Sequence, residues 1–180
     1  MAGRTPEEAT RNFIDPLQKS ISCVTDAVLV TTGYYQRLEP HALTLSPRDS
    51  PLRVAAGQNA LRLRVTLHFR HAQAAGSLGP WRVSTAGYWY TLSAPDEREL
   101  ISYHWHPNAS GEISYPHVHL GPLAAVGHTQ LARAHAPTGR VALEDVLRFA
   151  IQDLGVRSRR TDWDSVLAEI LAIFEQARTW

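Results

Sequence analysis

Tyr103-His104-Trp105-His106-Pro107-Asn108-Ala109-Ser110-Gly111-Glu112-Ile113-Ser114-Tyr115-Pro116-His117-Val118-His119-Leu120 is the stretch on which the reading of this chain turns. Two His-x-His pairs, His104/His106 and His117/His119, frame a segment of turn composition, Asn108–Gly111. Successive side chains of a strand point to opposite faces, so residues i and i+2 share one. Strands on both flanks, joined by a hairpin through Asn108–Gly111, would bring four imidazoles together. Such a cluster serves as a metal site, as a proton-transfer and anion site, or as the polar surface of a His-rich sheet. The spacing alone leaves all three open.

Working outward, Leu61, Leu63, Val65, Leu67 and Phe69 alternate with Arg62, Arg64, Thr66, His68 and Arg70, the period of a half-buried strand. Trp81–Ser93 carries the strong strand formers Tyr88, Trp89 and Tyr90. Ala94-Pro95-Asp96-Glu97 reads as a hairpin turn, followed by strands over Glu99–His106 and Ile113–Leu120. His41–Leu45 is a shorter candidate, and Ser46–Pro51 reads as a loop. The short connections imply an antiparallel meander.

Helical signals lie at the two ends. Thr5-Pro6-Glu7-Glu8 is a helix start, with Thr5 as cap, Pro6 in the first turn and Glu8 closing a capping box. Phe13, Leu17, Ile21, Val24 and Val28 continue an apolar stripe, with Pro16 expected to kink or split it and Gly33 to end it. Leu143, Val146, Leu147, Ala150, Ile151 and Leu154 share one helical face before Gly155. Trp163, Val166, Leu167, Ile170, Leu171 and Phe174 repeat the spacing after Asp162, a candidate cap. Residues 127–139 read as a loop. The expected fold is α+β, a single domain over 1–180. An N-terminal helical segment (1–37) precedes a four- to five-stranded antiparallel sheet (41–121), and two C-terminal helices (141–178) pack on one sheet face.

Alternation then assigns the other face. Arg62, Arg64, Thr66, His68 and Arg70 oppose the apolar set of their strand; Ser102, His104 and His106 oppose Ile101, Tyr103 and Trp105; His117 and His119 oppose Val118 and Leu120. Three strands, read independently, put Arg and His on the side away from the helices. Any half-exposed sheet needs a polar face, but Thr, Lys and Glu are its more usual fillers.

Composition narrows the class. An apolar fraction of 44% with 19% charged residues is that of a globular chain, not a disordered one. The net charge of +1 removes any bulk electrostatic argument for nucleic acid, so a basic surface must be local. Lys19 is the only lysine; the other cations are arginines, which suit phosphate forks or follow from coding bias. A lone cysteine, Cys23, excludes an internal disulfide and a Cys-rich zinc site, and its place on the first apolar stripe marks it as a core residue. No apolar run approaches the roughly 20 residues of a membrane span, and the N-terminus lacks the apolar core of a secretion signal. The expected location is cytoplasmic, without membrane contact.

Two chemistries fit the polar face. In the first, His104, His106, His117 and His119 move protons near neutral pH, while Arg62, Arg64, His68 and Arg70 hold phosphates. RNA carries its own 2′-hydroxyl nucleophile, so this would be a metal-independent, cofactor-free ribonuclease or RNA binder. In the second, the same four histidines hold zinc or iron. Their spacing is similar to that of cupin metal enzymes, but Glu112 stands six residues after the first pair and the second pair comes early. A third reading is an interaction module without chemistry. His41, His71, His128 and His135 are each expected at the surface rather than as ligands.

Leu100-Ile101-Ser102-Tyr103-His104-Trp105-His106-Pro107, then Pro116-His117-Val118-His119, then Pro137–Val146 resemble a family of uncharacterised bacterial proteins of similar length. The same order over roughly residues 85–155 is more loosely similar to TumE-type toxins of toxin–antitoxin systems. That similarity implies a small intracellular toxin acting on RNA, with an antitoxin or other protein as partner. This chain departs from it in length and in its N-terminal helical segment, and no residue roles carry over.

Overall fold

A computed structural model describes residues 2–31, 39–73, 79–107, 113–127, 130–131 and 134–177. Gly33, the turn Asn108–Gly111, Glu112 and His128 lie outside the described residues. The elements are β1 (Ala2–Gly3), α1 (Pro6–Ile21), β2 (Val28–Thr31), β3 (His41–Ser46), β4 (Ser50–Leu52), β5 (Leu61–Gln73), β6 (Trp81–Ser93), β7 (Glu99–Trp105), β8 (His117–Leu120), β9 (Ala136–Pro137), α2 (Leu143–Gln152) and α3 (Trp163–Ala177).

The strands form one open nine-stranded antiparallel sheet in the order β2-β3-β5-β6-β7-β8-β9, with β1 beside β6 and β4 beside β5. The α+β class and the meander β5-β6-β7-β8 follow the alternation in the sequence. The strand count does not: β1, β2, β4 and β9 add to the five strands that periodicity marks. They are two to four residues long, too short to display a period. β4 begins inside the stretch Ser46–Pro51 read as a loop and runs one residue beyond it.

Helix α1 starts as the capping residues require, with Thr5 Oγ1 accepting from Glu8 N at 3.2 Å. The Glu8 carboxylate accepts from Arg4 N at 2.8 Å, one residue earlier than in a capping box. The helix runs unbroken through Pro16. An interior proline costs about 3 kcal/mol; here the burial of Ala9, Phe13, Leu17 and Ile21 offsets it. The helix ends at Ile21, not Gly33. The β-branched residues Val28, Val30 and Thr31 continue as strand β2. Gln18 clamps that junction, donating to Ala27 O at 3.0 Å and accepting from Leu29 N at 2.7 Å.

The three helices share the apolar side of the sheet. Leu143, Val146, Leu147, Val166 and Ile170 are buried in one core with Leu63, Val65, Leu67 and Ile101, while Ile151 and Phe174 pack at its margin. Phe13 of α1 bridges sheet and helices, its ring 5.6 Å from Phe69 and 5.9 Å from Phe174. Gly155, at φ +69°, turns the chain out of α2 in the left-handed region. No helix among the described residues is long and apolar enough to cross a membrane.

A candidate metal centre of five histidines

The site lies on the opposite, polar face, where β7 and β8 pair. Their register sets His104 directly against His117 and Ser102 against His119. Strand β8 begins at His117 because Pro116 cannot donate to the ladder. The four expected histidines meet: His104 lies 4.7 Å from His119 and 5.4 Å from His117 between ring centroids, and His106 lies 5.5 Å from His117.

A fifth histidine joins them. Strand β9 pairs with β8 through His117↔Pro137 and Val118↔Ala136. This carries His135 to 4.2 Å from His119 and 5.1 Å from His117. His135 is exposed, as a surface residue should be, yet it belongs to the cluster. No period marks residues 127–139, so nothing local in the sequence links it to the pairs. His41 and His71 depart from expectation in the other direction. They are 5% and 3% exposed, on the helix side with Phe69. Extending the inward set Leu67, Phe69 by one step leads to His71, so this placement was available from alternation.

The imidazoles form two groups able to hold an ion: His104/His106/His117, and His117/His119/His135, with the ligand atoms of each group within 4.8 Å of one another. Three nitrogens on one tetrahedral zinc stand about 3.4 Å apart, given bonds of 2.0–2.1 Å. Small side-chain rotations therefore suffice to close either group. Outer partners orient the rings. His117 Nδ1 lies 2.9 Å from Tyr115 O and must donate to it, which leaves Nε2 with the lone pair. His104 Nε2 lies 2.7 Å from Ser102 Oγ, which lies 2.6 Å from Thr91 Oγ1. With Ser102 donating to Thr91, His104 donates to Ser102 and presents Nδ1. His106 Nδ1 is buried with no hydrogen-bond partner among the described residues.

Trp89 forms the wall of the cluster. It is opposite His104 across β6 and β7 and stacks on His106 at 5.2 Å and 12°. It belongs to the polar set of its strand, which alternation from Leu92 and Tyr90 identifies.

The cluster is electrostatically neutral at physiological pH at two of its members. Burial, then the neighbouring His119, His117, His106 and His135, pushes His104 down to about 3. Burial, then His135, His117 and His106, pushes His119 down to about 4. Neither holds a proton to donate near neutral pH, as an acid in RNA cleavage would have to.

The expected phosphate-binding residues do not assemble as a unit. Arg64 donates to Asp49 Oδ1 at 2.7 Å, and that bond holds the Asp49 carboxyl below the usual carboxylate range. Arg62 reaches Asp49 O at 3.5 Å. Both lie on β5, three strands from His117 and His119, or roughly 14 Å at ~4.8 Å per strand. His68 and Arg70, further along β5, border a hollow with His106: the His68 ring is 5.4 Å from Trp89, and burial holds His68 below the usual histidine range.

No family model matches the chain, and no curated protein or solved structure matches it significantly.

Proposed function

We propose that this protein binds one divalent transition-metal ion on the polar face of its sheet, zinc fitting best, and uses the ion's open positions for chemistry on a bound substrate. The observation that carries the reading is the convergence of two three-imidazole groups on His117. Three imidazoles are a donor set for zinc, copper or nickel rather than for magnesium or calcium. Non-haem iron favours two histidines and a carboxylate, and neither group contains a carboxylate. Three protein ligands leave a position for water or substrate, as catalytic zinc sites do.

Because His117 Nδ1 is committed to Tyr115 O, His117 offers a single lone pair. The two groups are therefore alternatives, and the stoichiometry is one ion. His104, His106 and His117 are the favoured set. Their rings are half-buried or buried and stand at or beside the paired ends of β7 and β8, whereas His135 is exposed.

The test is a zinc titration of chelator-stripped protein by calorimetry, with metal content measured in parallel. One equivalent is expected, and His104→Ala should lose it. Protein that takes up no zinc, or a His104→Ala/His119→Ala double variant that binds as the parent does, removes the reading. EDTA-resistant cleavage of RNA that disappears in His104→Ala would favour the RNA-directed alternative instead.

A further inference from the structure

Beside the cluster, on the same face, the sheet carries a hollow of about 250 Å³. Its origin is a local defect in the strands. The register of β5 and β6 shifts between His68 and Phe69, because Ala86 is bulged out of the ladder between Gly87 and Thr85. Gly87 sits opposite His68, and a Cβ there would lie 2.7 Å from Trp105 O at the end of β7. The close approach of β7 thus demands glycine, and glycine leaves the floor bare. His68, His106, Trp89 and the exposed Arg70 line the hollow around that floor.

The lining sets the ligand's chemistry. Most of it is carbon: Trp89, Ala86 and Pro40. Among the described residues the lining holds one permanent cation, Arg70, and no acid. His106, one of the favoured metal ligands, forms part of its wall. The volume falls just below the ~300 Å³ at which drug-sized ligand sites begin, so only a small ligand fits.

We propose that this hollow is the substrate pocket of the metal centre and takes a small carboxylate with a compact, flat apolar body. The carboxylate pairs with Arg70, the body lies against Trp89, and the far end faces His106 and the ion. The inference rests on the metal reading above; a second charge next to the pocket is what makes it a substrate site and not an isolated anion site.

Benzoate is the probe, titrated by calorimetry into zinc-loaded and zinc-stripped full-length protein, with zinc content measured before each run. Benzoate should bind the loaded form, at least threefold more tightly than the stripped form, because an adjacent divalent cation favours the anion and the coupling is reciprocal. Arg70→Gln should weaken benzoate at least tenfold with zinc content unchanged. Benzamide, which lacks the charge, should bind at least tenfold more weakly. Zinc-loaded protein that ignores benzoate, binds benzamide equally well, or is indifferent to Arg70→Gln overturns the pocket and leaves the metal centre standing. Equal affinity in loaded and stripped protein overturns the link to the ion. Absence of zinc from the parent protein is seen before benzoate is added, and takes both proposals with it.

Discussion

His104 and His117 are direct cross-strand partners, and their ring centroids lie 5.4 Å apart. Because strand pairing fixes that distance, the inner group is held in place before any ion arrives, and binding should stabilise the fold by mass action. At a free zinc concentration 100 times the dissociation constant the gain is about 2.7 kcal/mol. His104→Ala should abolish the zinc-dependent rise in melting temperature. His135→Ala should keep most of it. Thermal melts with and without zinc check this, and the reverse pattern would seat the ion on His117, His119 and His135.

Leu147 and Ile170 are 0% and 1% exposed and join α2 and α3 to the core. Truncating either to alanine leaves a cavity on the apolar side of the sheet. Each change should cost about 2–5 kcal/mol in urea unfolding. Zinc affinity should be unchanged, because the metal cluster lies on the other face. A loss under about 1 kcal/mol would mean that the helices are not anchored through these residues.

Much of this arrangement was legible in the sequence because it repeats. Thirteen-residue strands such as β5 display their period over several turns of alternation, and both faces of β5 and β7 follow from it. The meeting of His104 with His117 follows from two i, i+2 pairs on strands that pair with each other. What was not legible depends on register or on very short contacts. His135 enters through a two-residue strand. Trp89 stands beside the cluster only because β6 pairs with β7 at His104. Arg64 reads as a free phosphate ligand until the chain folds back through β4 and presents Asp49. The apolar run through Val28 reads as helix because a stripe at intervals of four and a strand beginning at Val28 share that residue.

His71 gives the pH dependence of the fold a definite sign. Its Nε2 lies 2.8 Å from Thr10 Oγ1, and its ring is 5.2 Å from His41. Burial and then His41 push it below its ordinary 6.5, against smaller opposing effects of Pro6 O and Glu7. The unfolded chain therefore binds this proton more readily. Stability from His71 is fully present above pH 6.5 and declines as pH falls below it, until the folded state also protonates. Each such group can contribute up to about 1.4 kcal/mol per pH unit in that window. His68, His104 and His119 are shifted the same way and add to the slope. In metal-free protein, His71→Gln should flatten the dependence between pH 6.5 and 5 relative to the parent. Chemical unfolding at several pH values measures this, and parallel curves would mean that His71 is not the group responsible.

Gly87 tests whether the backbone packing beneath the site also tunes the metal. An alanine Cβ would meet Trp105 O at 2.7 Å, and that neighbour is backbone, which cannot swing away. The end of β7 must move, and His106 follows Trp105 directly. Gly87→Ala should therefore cost about 1–3 kcal/mol, the usual range for overpacking. It should also weaken zinc, through displacement of His106 from His104 and His117. Gly127→Ala is the control, since nothing lies within 4 Å of a Cβ at that position. Melting temperature and zinc titration of the two variants separate the effects. Lower stability with unchanged zinc affinity would show that the ion does not depend on His106, and would move the centre to His117, His119 and His135.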